Sequence, residues 1–155
     1  MHPIQTIGGE RLHPYYLGNL PGNPIDTAIA ACHLIFGGVL DRHPKLKVTL
    51  PHGRGVLPIL TGRLDRGWEV RPEAKHLPVA PSKYLERFTY DTIVHSKSVM
   101  EYLIRELGAE RVMVGSDYCY AMGYERPLQF LEQIDINSEQ RAKILGGTAA
   151  ALLRL

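Results

Sequence analysis

Blocks of apolar residues broken by short polar stretches give this chain its predicted elements. DTAIAACHLIFGGVL, residues 26–40, is apolar nearly all round, with Asp26 or Thr27 placed to cap it, and predicts a largely buried helix. A short strand follows over residues 46–50 and ends in Pro51-His52. VLPILTGRLDRGW predicts a second helix carrying Arg63 and Arg66 on neighbouring faces. After the proline-rich RPEAKHLPVAPS, residues 82–87 read as a short helix and FTYDTIVH as a strand with a polar end. Ser98 and Glu101 have capping-box spacing for a helix that Gly108 ends. RVMVGSD is the last clear strand. Helices follow in RPLQFLEQI, in SEQRAKIL behind a second box of Asn137 and Gln140, and in TAAALLRL. Residues 3–24, rich in proline and glycine and without a sustained period, predict a long irregular loop.

Alternation of helix and strand argues for an α/β fold with parallel strands and crossover helices. The strands end in polar groups: His52, residues 92–95, and Asp117. Carboxyl ends of parallel strands are where α/β folds place their sites. Asp117, at the end of an apolar strand, is costly to bury unless a cation or hydrogen bonds hold it.

Composition narrows the function classes. With 155 residues, 45% of them hydrophobic and 22% charged, the chain is expected to be one globular domain, residues 1–155. A net charge of +2 argues against nucleic acid or a membrane surface as partner. Two cysteines without metal-type spacing argue against a disulfide framework and for a reducing cytoplasm. No apolar run reaches membrane-spanning length, and no signal-peptide pattern opens the chain.

Taken singly, the polar residues have ordinary readings: a lone histidine at the surface, a strand-end aspartate capping a turn, arginines on a solvated helix face. Their local sequences say more. HLIFGGVLDRHPKLKVTLPHG, GRLDRGWEVRPE, KYLERFTYDTIVH, RVMVGSDY and the terminal ILGGTAAALLRL resemble the amidohydrolase superfamily, in its aminocarboxymuconate-semialdehyde decarboxylase branch. The resemblance implies a (β/α)8 barrel with a divalent metal, zinc or else manganese, at its strand ends. It makes His2 and Asp117 metal ligands, with His13 a rival to His2, and makes His52 the catalytic acid/base. Asp117 would also pass a proton. Arg63 and Arg71 match residues that bind the substrate carboxylate across a subunit boundary, and Tyr16 falls at an aromatic substrate contact. The implied partners are a small carboxylic acid and a second copy of the chain.

Two departures qualify the match. Arg54 replaces a glycine of the family's His-Gly-Gly-Gly turn. It would favour an anionic substrate, weaken proton binding at His52, or point to solvent. The family's paired His-x-His is found nowhere in the sequence. The expectation is therefore the carboxyl-terminal half of a barrel, from the end of strand five through strand eight, without the other half. Its open sheet edges would favour a homodimer. The expected reaction is metal-dependent decarboxylation of a small unsaturated or aromatic acid. The alternatives are hydrolysis or hydration by the same site, or an inactive fragment or association module.

Overall fold

A computed structural model describes residue 2 and residues 7–155, which divide into two compact units, residues 1–88 and 89–155. Helix α1 (Asn23–Phe36) opens the regular structure of the first unit. It starts three residues ahead of the expected cap because Pro24, whose fixed φ suits a first helical turn, begins it without a side-chain cap. Thr27, Ala28, Ala31 and Ile35 are its fully buried residues, and of the rest only His33 is exposed, so the helix is largely buried as expected. Gly38 (φ 64°) breaks the expected single helix, and α2 (Val39–Arg42) restarts beyond it.

Strand β1 (Val48–Leu50) is shorter than expected because the Leu46 amide is already committed to a turn, donating to His43 O at 3.0 Å. Helix α3 (Leu57–Val70) and the short α4 (Pro81–Tyr84) complete the unit. The connection between them is tied down by Trp68 Nε1 donating to Leu77 O (3.1 Å) and by Asp65 accepting the Ser82 amide (2.8 Å). Residues 7–22 contain short helical turns, over Gly9–Leu12, Pro14–Tyr16 and Gly18–Gly22, where an irregular loop was expected; residues 3–6 of that loop lie outside the described residues.

The buried Tyr84 hydroxyl donates to Asp41 Oδ2 at 2.7 Å. Burial first, then this bond, pushes the Tyr84 phenol up to about 12. The unfolded chain loses that proton near pH 10 while the folded chain keeps it, so the pair's contribution is complete below about pH 10 and lost as pH rises toward 12. Tyr84→Phe should flatten the decline in stability across that window in alkaline urea titrations.

Strand β2 (Phe88–Asp91) begins at the boundary and pairs in parallel with β3 (Val112–Met113), Tyr90 opposite Val112 and Asp91 opposite Met113. Both are shorter than their apolar runs. Asp91 Oδ1 accepts the Ile93 amide (3.0 Å), which turns the chain out of β2 before His95. Beyond β3, the Val114 amide goes to Ile144 O (3.0 Å) instead of a ladder.

Helix α5 (Lys97–Leu107) is capped by Ser96, two residues earlier than the expected Ser98 box. Glu101 instead accepts from the Asp135 amide (2.8 Å) and pairs with Lys97 (3.1 Å). Gly108 (φ 85°) ends the helix as expected. Helices α6 (Pro127–Glu132), α7 (Ser138–Ala142) and α8 (Thr148–Leu153) follow, and the Asn137–Gln140 capping box is present. Met100, Leu103, Ile104, Val112, Leu131 and Ile144 form the centre of this unit's core. Among the described residues, no helix is long and apolar enough to cross a membrane.

Candidate functional site

The exit of β1 makes an unusual turn. His52, Gly53, Arg54 and Gly55 all have positive φ, at 56°, 55°, 80° and 59°. Glycine adopts such angles freely, whereas a side-chain-bearing residue there costs free energy and persists only where its surroundings fix it. At Gly55 the constraint is also steric: a Cβ would lie 1.9 Å from Pro24 O, so the first turn of α1 presses directly on this backbone.

That contact brings Thr27, one turn into α1, to His52. Thr27 Oγ1 lies 3.4 Å from His52 Nδ1 and donates its own proton to Asn23 O at 3.0 Å. With the hydroxyl proton committed, Oγ1 can only accept, so Nδ1 carries the imidazole hydrogen and Nε2 is the basic ring nitrogen. The T-shaped ring of His2 stands against His52, centroids 4.9 Å apart. His2, and not His13, is therefore the histidine that the structure shows at this turn. Arg54 is 2% exposed, which rules out its solvent-pointing reading.

Arg63 is exposed on α3, and Arg71 is exposed just after it. Arg71 holds Glu73 at 2.8 Å, and a backbone amide together with this guanidinium keeps the Glu73 carboxyl below its usual range. Tyr16, 57% exposed, has φ 60°. Cys32 is half-buried and burial pushes its thiol up, which disfavours the thiolate.

In the second unit Asp117 follows β3 with φ 54°. The loop behind it folds back, Tyr120 N donating to Asp117 O (3.0 Å) and Tyr124 N to Ser116 O (2.7 Å). Tyr124 stacks on Phe130 and meets the His95 ring at 4.6 Å. Burial raises the Tyr124 phenol, with the His95 backbone opposing. His95 shares the left-handed backbone of His52 and Asp117, at φ 52°. Thr27, Thr92 and His95 were not among the expected site residues. Thr27 reads in sequence as a helix cap; Thr92 and His95 bound the polar end of the second strand, where the sequence assigns neither a role.

The family model described as Amidohydrolase matches residues 2–155. The chain belongs to the amidohydrolase family. It is 37% identical, over all of its length, to 44% of the 2-amino-3-carboxymuconate-6-semialdehyde decarboxylase of Dictyostelium discoideum. Among solved structures, 5-carboxyvanillate decarboxylase of Sphingomonas paucimobilis matches with TM-score 0.85 and 31% identity, covering all of this chain and 48% of that one. A dihydroxybenzoic acid decarboxylase of Polaromonas sp. JS666, with bound manganese and the inhibitor 2-nitroresorcinol, matches with TM-score 0.84 and 25% identity, over all of this chain and 49% of that one. The chain thus spans about half the length of the curated relatives it matches. Its amidohydrolase membership agrees with the resemblance carried by the His52, Arg63–Arg71 and Asp117 motifs.

Proposed function

We propose that this chain contributes the acid/base and carboxylate-binding side of a metal-dependent decarboxylase for a small unsaturated or aromatic carboxylic acid. The observation that carries the proposal is the His52 turn. An imidazole is held in one tautomer by Thr27, with a second imidazole, His2, against it. The decarboxylase names of the relatives supply the reaction class. In this reading β1, β2 and β3 are strands six, seven and eight of a (β/α)8 barrel, and residues 1–155 are its carboxyl-terminal half.

A divalent ion fits the donor chemistry: imidazole and carboxylate are ordinary ligands for zinc and manganese. His2 and Asp117 would hold it, and the manganese of the Polaromonas relative supports that class of metal. When bound, such an ion supplies Lewis-acid polarisation of a substrate oxygen. Zinc is the metal proposed here, with manganese as the alternative. His52, its basic Nε2 able to carry a proton, delivers that proton to the carbon that loses the carboxylate. The carbon–carbon bond breaks, its electron pair stays on that carbon, and carbon dioxide leaves. Arg63 and Arg71 bind an anionic group of the acid by their planar forks, and Tyr16 offers an aromatic face.

The arginines are proposed to act across a homodimer. Ile59, one turn before Arg63 on α3, is 84% exposed, and an apolar pocket lined by Ile25, Ile29, Cys32, Phe36, Val56 and Leu60 lies beside that helix. An apolar surface next to exposed guanidinium groups suits a partner's site.

The reaction class is tested by supplying hydroxybenzoates and unsaturated dicarboxylic acids with Zn²⁺ or Mn²⁺ and measuring carbon dioxide. Release of the gas is expected; a pH change without it would indicate hydrolysis or hydration instead. The dimer has its own test. A His52→Gln protein mixed with an Arg63→Leu/Arg71→Leu protein should recover about a quarter of wild-type turnover, since half of the random dimers hold one intact site. No recovery after subunit exchange would place the arginines in their own subunit's site.

A further inference from the structure

We infer that Thr92, acting through the backbone of Gly115, is a positioning residue that sets the direction of the Asp117 carboxylate. The inference rests on the proposal that Asp117 is a ligand of the divalent ion.

Thr92 has no exposed surface (0%), so its hydroxyl must find its partners inside the protein. It finds both on one residue. Thr92 Oγ1 accepts the Gly115 amide at 3.1 Å and donates to the Gly115 carbonyl at 3.4 Å. Gly115 lies two residues past the end of β3 and two residues before Asp117. A Cβ at Gly115 would lie 3.0 Å from Asp91 Cβ, so the two strand tips are also in close contact at this level.

Asp117 then adopts its left-handed backbone, φ 54°, which the surroundings must over-determine. Part of that determination is internal to the loop. Tyr118 N donates to Ser116 Oγ (3.3 Å), Tyr120 N to Asp117 O (3.0 Å) and Tyr124 N to Ser116 O (2.7 Å). These bonds give the loop its shape, while Val114 N on Ile144 O and the Tyr124–Phe130 stack hold it on its far sides. The Thr92–Gly115 pair ties it to the end of β2, directly upstream of the carboxylate. Removing the hydroxyl leaves two backbone polar groups seeking water, and the loop re-aims to supply them.

The prediction is read in metal affinity. Thr92→Val keeps the shape of the side chain and removes the hydroxyl. It should weaken Mn²⁺ binding, followed by the electron paramagnetic resonance of the free ion, roughly 10- to 100-fold, the usual effect of losing a group that orients a ligand. Thr92→Ser should keep wild-type affinity, and the urea midpoints of all variants in a chelator should show the fold retained. Undiminished Mn²⁺ affinity in Thr92→Val overturns the inference. Asp117→Asn separates the two levels. If it abolishes Mn²⁺ binding while Thr92→Val does not weaken it, Asp117 remains a ligand and Thr92 has no positioning role. If Asp117→Asn binds Mn²⁺ as wild type does, the ligand assignment fails and the inference with it. Should Thr92→Val not fold, exchange of the Gly115 amide in the wild-type chain gives the same answer. Zn²⁺ should slow that exchange, and should not do so in Asp117→Asn; an amide indifferent to Zn²⁺ in the wild type overturns the coupling.

Discussion

Carbon dioxide release should fall by about 10²- to 10⁴-fold when His52 is replaced by glutamine, the span expected when a positioned acid/base is lost. Glutamine keeps a polar side chain at the turn but cannot cycle a proton near neutrality. Acid binding, followed by equilibrium dialysis, should change little, because in the proposed site Arg63 and Arg71 hold the anion. The proton-transfer assignment also makes a claim about Thr27. Thr27→Val removes the acceptor at His52 Nδ1, so both tautomers become available and turnover should drop without loss of acid binding. Unchanged turnover in His52→Gln would remove His52 from the chemistry and leave the turn as architecture.

Gly55→Ala should cost about 3 kcal/mol or more in urea unfolding, since strain at positive φ and a steric collision add together. The angles are φ 59° and ψ −133°, and the new methyl would sit 1.9 Å from a backbone carbonyl that cannot rotate away as a side chain could. Relief requires α1 to retreat from the turn, carrying Thr27 away from His52, so acid/base function and stability should fall together. Gly62→Ala supplies the contrast. Gly62 lies inside α3 with no heavy atom within 4 Å of its added Cβ, so the same substitution there should stabilise the chain by roughly 0.5–1 kcal/mol. Equal effects at the two glycines would refute the claim that α1 presses on the His52 turn.

Much of this arrangement could be read in the sequence, and the differences have specific causes. Helices α3 and α5, the Gly108 stop and the Asn137–Gln140 box follow from local periodicity and capping chemistry, which act over a few residues. Strand lengths did not follow, because Asp91 and the Leu46 turn divert the backbone by hydrogen bonds that apolar patterning does not encode. The motif strings around His52, Arg63, Arg71 and Asp117 placed the chain in its family. They did not reveal Thr27 or Thr92. Each of these acts through a side-chain oxygen on a residue distant in sequence, 25 positions away for Thr27 and 23 for Thr92. Arg54 illustrates the same limit: its neighbours in sequence allow a solvent-facing guanidinium, and only the packed turn buries it.

The Arg71–Glu73 pair bears on ligand choice. In the proposed site, an acid arriving at Arg71 does not meet an empty fork; it exchanges with a tethered carboxylate of the same charge and shape. Its affinity is then lowered by that exchange, and less so for a molecule that can also reach Arg63. Such an internal competitor, itself solvent-exposed, would trim the affinity of a simple carboxylate only slightly, and would tilt preference toward acids bearing a second anionic or polar handle.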